Sequence, residues 1–199
     1  SGSTPREGFE PEPGVPFLKV YNLVDQRLNF DYKPQFGSAS VFASRPMSRS
    51  TAMPGDVLMN IVGPPLGKVA VVTDQYPAWT FNQALTMFRP SPRITTEWLY
   101  LILCSGIPYE ETLMQTRGSA GQSNISLTQC REMVLPVPPI SEQTEIVRRV
   151  ESLFAVAGSI ESRLAYATAQ VERTTQAILA KAFRGELVPA SVSPAGDFQ

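Results

Sequence analysis

The stretch LPVPPISEQTEIVRRVESLF, residues 135–154, marks the position where the pattern of the chain changes. Its first five residues include three prolines, which fix their own backbone angles and restrict those of the residues before them. Ser141 follows as the predicted N-cap of a helix, and Glu142 and Glu145 occupy the first turn, where the helix dipole favours anions. The stretch therefore predicts a stiff joint that leads directly into a helix.

The predicted helix carries a heptad pattern. From Ile146 to Ile178, apolar residues alternate at spacings of four and three, and Thr174 interrupts the pattern. This repeat is typical of a coiled coil, and the basic last turn followed by Gly185 is typical of a helix end. The residues predicted to form a dimerisation seam are Ile146, Val150, Leu153, Ala157, Ile160, Leu164, Ala167, Val171 and Ile178.

The length of this helix decides what its seam can contact. A continuous helix would be about 65 Å long, at about 1.5 Å per residue. A domain of about 140 residues has a radius of gyration of only about 14–15 Å, so the helix cannot lie on it along its whole length. We expect the seam to meet a helix of a partner chain. The alternative is a helical hairpin that bends near Gly158 and Ser159 and folds back on itself.

The part of the chain before the prolines has the patterns of short strands and one helix. Val15–Val24 is rich in β-branched and aromatic residues and predicts a strand. The apolar runs Asp56–Val62 and Lys68–Asp74 flank the turn-like sequence GPPLG and predict a hairpin. Thr96–Gly106 predicts a buried helix, and Arg131–Pro138 predicts a last strand that the prolines terminate.

These patterns together predict an α+β fold with three parts. Residues 1–138 form a β-rich globular domain, residues 139–187 form a coiled-coil-type helix, and residues 188–199 form a flexible tail. The chain has 199 residues, of which 43% are hydrophobic and 18% are charged, and this composition suits a packed core. The net charge of -1 favours no class of partner by itself.

The absence of histidine excludes several classes of active site. Neither Ser–His nor Cys–His catalysis is possible, and no metal can have a histidine ligand. The two cysteines are too few for a structural zinc site, and their low number favours a reducing cytoplasm. No apolar run has the length of a membrane span. We therefore expect a cytoplasmic, non-enzymatic protein without catalytic residues, cofactor or metal.

Basic residues are concentrated in three polar stretches that contain no acid. These stretches lie between Tyr32 and Gly55, between Gln75 and Thr96, and between Thr112 and Arg131. Their Ser, Thr, Asn, Gln and Arg side chains are the types that bind DNA phosphates and base edges. The alternative is that these stretches are only connecting loops.

Several motifs resemble the DNA-specificity subunits of type I restriction–modification systems. In that family a Pro-Pro-x-x-Glu-Gln stretch opens a spacer helix and Ala-Phe-x-Gly-x-Leu closes it, as in LPVPPISEQ and ILAKAFRGELV here. Further family-like motifs occur upstream in the family's order: GSTP (2–5), VPFLKVYNL (15–23), PGDVLMNIVG (54–63), FNQAL (81–85) and GQSNIS (121–126).

The resemblance implies a non-catalytic DNA reader with one target recognition domain. In such systems a separate DNA methyltransferase (modification) subunit uses S-adenosylmethionine to methylate adenine, and a restriction motor subunit translocates and cleaves DNA. Antiparallel spacer helices hold two recognition domains apart, so that two half-sites are read across a gap. The family's usual chain carries two recognition domains and two helices, whereas this one carries one of each. We therefore expect either a half-subunit that forms a homodimer through its helix or a fragment of a longer subunit.

The resemblance and the acid-free stretches together nominate residues for contact with double-stranded DNA. They are Lys33, Arg45, Ser48, Arg49, Ser50, Asn82, Gln83, Arg117, Ser119, Gln122, Ser123 and Asn124. Asn82 and Gln83 come from the FNQAL motif, and for them a role in holding loops together is the alternative. Two rival functions are a coiled-coil protein-interaction module without a DNA role and a methyltransferase fragment that retains only its recognition lobe.

Overall fold

A computed structural model describes residues 1–5, 9–10, 14–38, 40, 49–111, 114 and 124–187. Contacts between residues divide the chain into two units, Ser1–Val147 and Arg148–Gln199. The first unit contains the sheets and the start of the long helix. The described part of the second unit is the remainder of that helix and the turn after it.

The first unit is built from short strands. They are β1 (Phe9–Glu10), β2 (Val15–Leu18), β3 (Leu23–Val24), β4 (Arg27–Leu28), β5 (Phe36–Gly37), β6 (Thr51–Ala52), β7 (Val57–Asn60), β8 (Val69–Val71), β9 (Trp79–Phe81) and β10 (Leu85–Phe88). The order β1-β5-β2-β9-β6 forms one sheet, in which β2 and β9 are parallel and the other neighbours are antiparallel. An antiparallel sheet has the order β10-β7-β8, and β3 pairs with β4.

Among the described residues, three α-helices with defined bounds follow the strands along the chain. They are α1 (Thr96–Cys104), α2 (Leu127–Glu132) and α3 (Ile140–Phe183). The predicted α+β fold, a β-rich domain followed by a long C-terminal helix, is thereby confirmed. Within the described ranges, no helix combines the length and the apolar character that a bilayer span requires.

Strand β7 is buried on both faces and separates two hydrophobic clusters. Val57 and Met59 pack in a cluster with residues of α1, such as Leu99 and Leu103. Leu58 points to the other face, as alternation along a strand requires, and joins the second cluster. The predicted hairpin is confirmed as β7 and β8, which pair antiparallel.

The second cluster contains a group of packed aromatic rings. Phe30, Phe36, Tyr76 and Trp79 stack with ring centroids 5.0–5.9 Å apart and with steep interplanar angles. Edge-to-face pairs of this kind add to the free energy gained from burying the rings. The cluster therefore holds the five-stranded sheet against the three-stranded one.

The single strand predicted at Val15–Val24 is wrong in its second half. After β2 the chain forms a 3-10 helix, Val20–Asn22, and then β3. The buried Asn22 side chain causes this turn, since its oxygen accepts from the backbone N–H of Lys19. Its amide nitrogen donates to the carbonyls of Asn29 and Tyr32, so local side-chain bonds replace strand pairing.

The last strand predicted at Arg131–Pro138 is also wrong. Arg131 and Glu132 end helix α2, which Ser126 and Gln129 start with a reciprocal capping box. The chain after α2 follows an irregular path to Pro139. Its apolar side chains, Met133 and Leu135, still pack against the cluster around α1. Apolar character in this segment therefore reflects burial without a strand.

Helix α3 begins two residues earlier than predicted, because Pro139 rather than Ser141 occupies the N-cap position. The Pro139 carbonyl accepts the N–H groups of Glu142 and Gln143, at 2.9 and 3.0 Å, which is the bonding expected of an N-cap backbone. Ser141 therefore lies inside the first turn and is not the N-cap. The helix continues without interruption through Gly158, which excludes the helical hairpin.

The end of α3 is as predicted. Gly185 has a φ of 71°, a conformation that glycine adopts without the usual steric cost. Its N–H donates to the Ala182 carbonyl and that of Glu186 donates to the Lys181 carbonyl, both at 3.0 Å. These two bonds form a Schellman motif, which satisfies the last carbonyls of a helix. With 44 residues, α3 is about 66 Å long at about 1.5 Å per residue.

Candidate nucleic-acid interface

Two of the three acid-free stretches meet at one cavity. The cavity has a volume of about 420 Å³ and is lined by residues 1–3, Arg49, Ser50, Leu127 and Arg131. Arg49 and Ser50 come from the first stretch, and Leu127 and Arg131 come from the end of the third. The fold thus brings together basic and hydroxyl side chains that are far apart in the sequence.

Regular structure fixes both sides of this cavity. Arg49 and Ser50 directly precede β6, which pairs with β9 in the five-stranded sheet. Leu127 and Arg131 lie on α2, whose start is fixed by the capping box at Ser126. The polar groups are therefore carried by elements that pack on the core.

Both arginines at the cavity are exposed. Within the part of the chain that the structure describes, neither Arg49 nor Arg131 forms an ion pair or a side-chain hydrogen bond. Ser50 is only 1% exposed, and among the described residues its hydroxyl has no hydrogen-bond partner. An unpaired buried hydroxyl that lines the same cavity as two guanidinium groups is an arrangement that an oxyanion could complete.

The second acid-free stretch contains a basic residue with a structural role. Arg89 donates two hydrogen bonds, at 2.8 and 2.7 Å, to the buried carboxylate of Asp56. These bonds raise the pKa of Arg89 above its ordinary value. Asp56 also accepts the N–H of Met53 at 2.8 Å. The positive charge of Arg89 is therefore largely neutralised by Asp56 of the same domain.

Asn82 and Gln83 lie in the turn between β9 and β10, where the first residues of the chain are attached. The Gln83 side-chain oxygen accepts a hydrogen bond from the Thr4 hydroxyl. The N–H groups of Gly2 and Ser3 donate to backbone carbonyls at this turn, each at 3.1 Å. A Cβ on Gly2 would overlap the carbonyl of Phe81, so the close approach requires glycine. Gln83 therefore makes the loop-holding contact that was the alternative to a DNA contact.

Asn82 is only partly exposed. Its N–H donates to the Leu18 carbonyl at 3.0 Å, and its side-chain oxygen is buried without a partner among the described residues.

Lys33 and Asn124 do not line the cavity. Lys33 is exposed at a positive φ of 54°, and its ammonium lies 5.2 Å from the ring centroid of Tyr32. Tyr32 in turn contacts Tyr21, whose pKa is raised by burial. Asn124 is exposed and forms an isolated bridge with Val62. These candidates therefore occupy other parts of the surface.

The remaining DNA-contact candidates lie outside the described residues. They are Arg45, Ser48, Arg117, Ser119, Gln122 and Ser123. Arg131, which lines the cavity, was not among the predicted residues, although its position at the end of an acid-free stretch was a usable signal. Among the described residues, no group of three or more acids and cysteines is placed to hold a metal ion.

The first turns of α3 are attached to the β-rich unit by Gln143. This side chain is fully buried; its oxygen accepts the N–H of Thr95 at 3.0 Å. Its nitrogen donates to the carbonyls of Arg93 and Pro138, both at 2.8 Å. The indole of Trp98 adds a 2.9 Å bond to the Pro136 carbonyl. The Gln of the Pro-Pro-x-x-Glu-Gln motif is thus the residue that joins helix and domain.

The family model and the similar proteins all indicate the same family. The sequence model of the type I restriction modification DNA specificity domain matches residues 8–165. The EcoBI specificity subunit of Escherichia coli is 32% identical over 183 residues, which are 90% of this chain and 37% of that protein. The EcoDI specificity subunit of Escherichia coli is 34% identical over 67% of this chain and 29% of its own length. The chain spans about a third of the length of these relatives.

Solved structures show the same fold. The HsdS subunit from Thermoanaerobacter tengcongensis superimposes with a TM-score of 0.65 and 26% identity over 94% of this chain and 42% of its own. A chain of a type I R-M system, solved to explain complex assembly and conformational transition, superimposes with a TM-score of 0.71 and 26% sequence identity. The match covers 94% of this chain and 43% of that chain. Because the family match covers most of the chain and both folds agree with it, the chain belongs to the type I restriction modification DNA specificity domain family.

Proposed function

We propose that this chain is a non-catalytic DNA reader that directs a type I restriction–modification complex to its target. The proposal rests mainly on one observation: two acid-free stretches meet at a cavity lined by two arginines that have no ion-pair partner among the described residues. Arginine is the residue type that most often contacts phosphates and guanine in DNA complexes. Membership of a DNA specificity domain family supports this interpretation.

The proposal includes the partners of the chain. It binds double-stranded DNA in the cytoplasm, a DNA methyltransferase subunit methylates adenine at the target, and a restriction motor subunit translocates and cleaves DNA. The chain itself supplies no chemistry to either reaction.

We also propose that the chain forms a homodimer through the seam of α3. Five large seam residues are 51–69% exposed in the single chain: Leu153, Ile160, Leu164, Val171 and Ile178. Complete burial of one such side chain is worth about 1.5–3 kcal/mol. Antiparallel pairing of two helices would bury the seam and place one recognition domain at each end, so that helix length sets the separation of two half-sites.

Binding to random-sequence duplex at several salt concentrations tests the DNA role. A DNA reader loses affinity linearly in a plot of log K against log salt, because it releases counterions from the phosphates. Fluorescence anisotropy of a labelled duplex gives this slope. A protein-interaction module without a DNA role would leave the anisotropy unchanged at every salt concentration.

Methylation mapping then tests the assembly role. Adenine methylation at one bipartite sequence should be present in a host that carries the chain and absent after its deletion. If deletion leaves every methylated site unchanged, the chain does not direct a methyltransferase.

A further inference from the structure

The geometry points to a phosphodiester-binding subsite formed by Arg49, Ser50 and Arg131. This inference rests on the proposed DNA-reading function and deepens it, because it names the chemical group that the cavity holds. The three residues come from two separate stretches and line the same cavity of about 420 Å³.

The charge around the cavity suits an oxyanion. A guanidinium group offers several N–H donors in a planar fork that matches two phosphate oxygens. Arg49 and Arg131 have no ion-pair partner in the described ranges, and no acid is among the lining residues. Arg89 shows the contrasting case, since its fork is already occupied by the carboxylate of Asp56.

Ser50 supplies the second, independent observation. Its hydroxyl is almost completely buried in the cavity wall and has no partner among the described residues. Buried hydroxyl groups nearly always have a partner, because leaving one unpaired costs free energy. A phosphate oxygen held between the two guanidinium groups can accept this O–H and remove the cost.

The position of the subsite predicts what kind of contact it makes. In the sequence, Arg49 follows Ser48 directly and belongs to the same stretch as Arg45. Arg131 closes the stretch that contains Arg117 to Asn124. Phosphate contacts fix the register and orientation of a duplex but carry no direct sequence information. The subsite therefore positions the DNA backbone, and target preference depends on other residues.

The test compares charge-neutralising variants of the full chain. Arg49→Gln, Arg131→Gln and the double variant are measured with random duplex by anisotropy, from low to high salt. Each should weaken binding, and the slope of log K against log salt should fall by about 0.9, the value for one phosphate. In the double variant the slope should fall little further, because both arginines bind the same phosphate group. Arg27→Gln is the matched control, since Arg27 is an exposed arginine of the same unit outside the acid-free stretches.

Ser50→Ala separates a binding role from a structural one. Removing an unpaired buried hydroxyl should raise the midpoint of thermal unfolding slightly, while duplex binding weakens several-fold. A purely structural serine would give lower stability and unchanged affinity of the folded protein, which would count against the subsite.

A second ligand keeps the test independent of the proposed function. Inorganic phosphate is titrated against the same variants, and binding is followed by chemical shifts of arginine side chains. Absence of duplex binding by the wild-type chain would refute the DNA role, and the phosphate titration would still decide the subsite. The subsite is overturned if Arg49→Gln and Arg131→Gln match Arg27→Gln with both duplex and phosphate.

Discussion

The first two turns of α3 and the rest of the same helix differ in what stabilises them. Within Ile140–Val147, the Gln143 side chain is fully buried and forms three hydrogen bonds, and Val147 is 8% exposed. Beyond Arg148, side chains of the same types, such as Val171, are largely exposed. One continuous helix thus has a start stabilised by its own domain and a long remainder whose apolar seam is exposed in the described part of the chain. Under the proposed homodimer a second helix covers the seam, whereas the start is already covered by its own domain.

The largest expected effect is on self-association through the seam. Leu164→Asp should raise the dissociation constant of the homodimer by roughly a hundredfold or more, because each chain would bury an unpaired carboxylate. Sedimentation equilibrium across the micromolar range measures this. Ser162→Asp places the same charge away from the seam and should leave the constant unchanged. A wild-type chain that stays monomeric at these concentrations would falsify the homodimer.

The next effect concerns the start of the helix. Gln143→Ala leaves the N–H of Thr95 and the carbonyls of Arg93 and Pro138 without partners. Unsatisfied buried groups cost about 1–3 kcal/mol each, so we expect a loss of about 3 kcal/mol in the free energy of unfolding, measured with urea. Gln176→Ala, on the exposed part of α3, should change it by less than about 0.5 kcal/mol. Equal effects of the two substitutions would contradict the attachment by Gln143.

The sequence predicts local features of this molecule better than distant contacts. The seam of α3, its glycine end and the β7–β8 hairpin follow from periodicity and turn residues that are adjacent in the chain. The role of Gln143 does not, because two of its partners, Thr95 and Arg93, are 48 and 50 residues away.

The incorrect predictions have the same origin. Helix α2 was not predicted, because the prolines after it were interpreted as the end of a strand. Ser126 and Gln129 already had the spacing of a capping box. The cavity could not be predicted, since only the fold brings Arg49 and Arg131 together. The acid-free pattern predicted three stretches, and the described candidate residues from them divide between the cavity, the turn at Gln83 and the surface at Tyr32.

Alkaline pH should destabilise the β-rich unit through Tyr109. This side chain is buried in the cluster around α1 and donates to the Leu103 carbonyl at 2.8 Å. Burial raises the pKa of Tyr109 to about 12, above the ordinary value of 10. The corresponding stability is complete below pH 10 and is lost as pH rises toward 12, with a total of about 3 kcal/mol. Urea unfolding at several pH values measures this decline, and Tyr109→Phe should reduce it. An equally steep decline in Tyr109→Phe would assign it to other groups.

The smallest expected effect compares two valines of the same helix. Val147 is 8% exposed and Val171 is 65% exposed in the single chain. Val147→Ala removes two buried methyl groups and should lower the free energy of unfolding by about 1–2 kcal/mol. Val171→Ala should leave it within about 0.5 kcal/mol at concentrations where the chain is monomeric. At higher concentrations Val171→Ala should weaken self-association more than Val147→Ala does, because Val171 lies on the seam and Val147 does not. If Val147→Ala weakened the dimer as much as Val171→Ala, the division of α3 into a start bound by its domain and a remainder bound by a partner would be wrong.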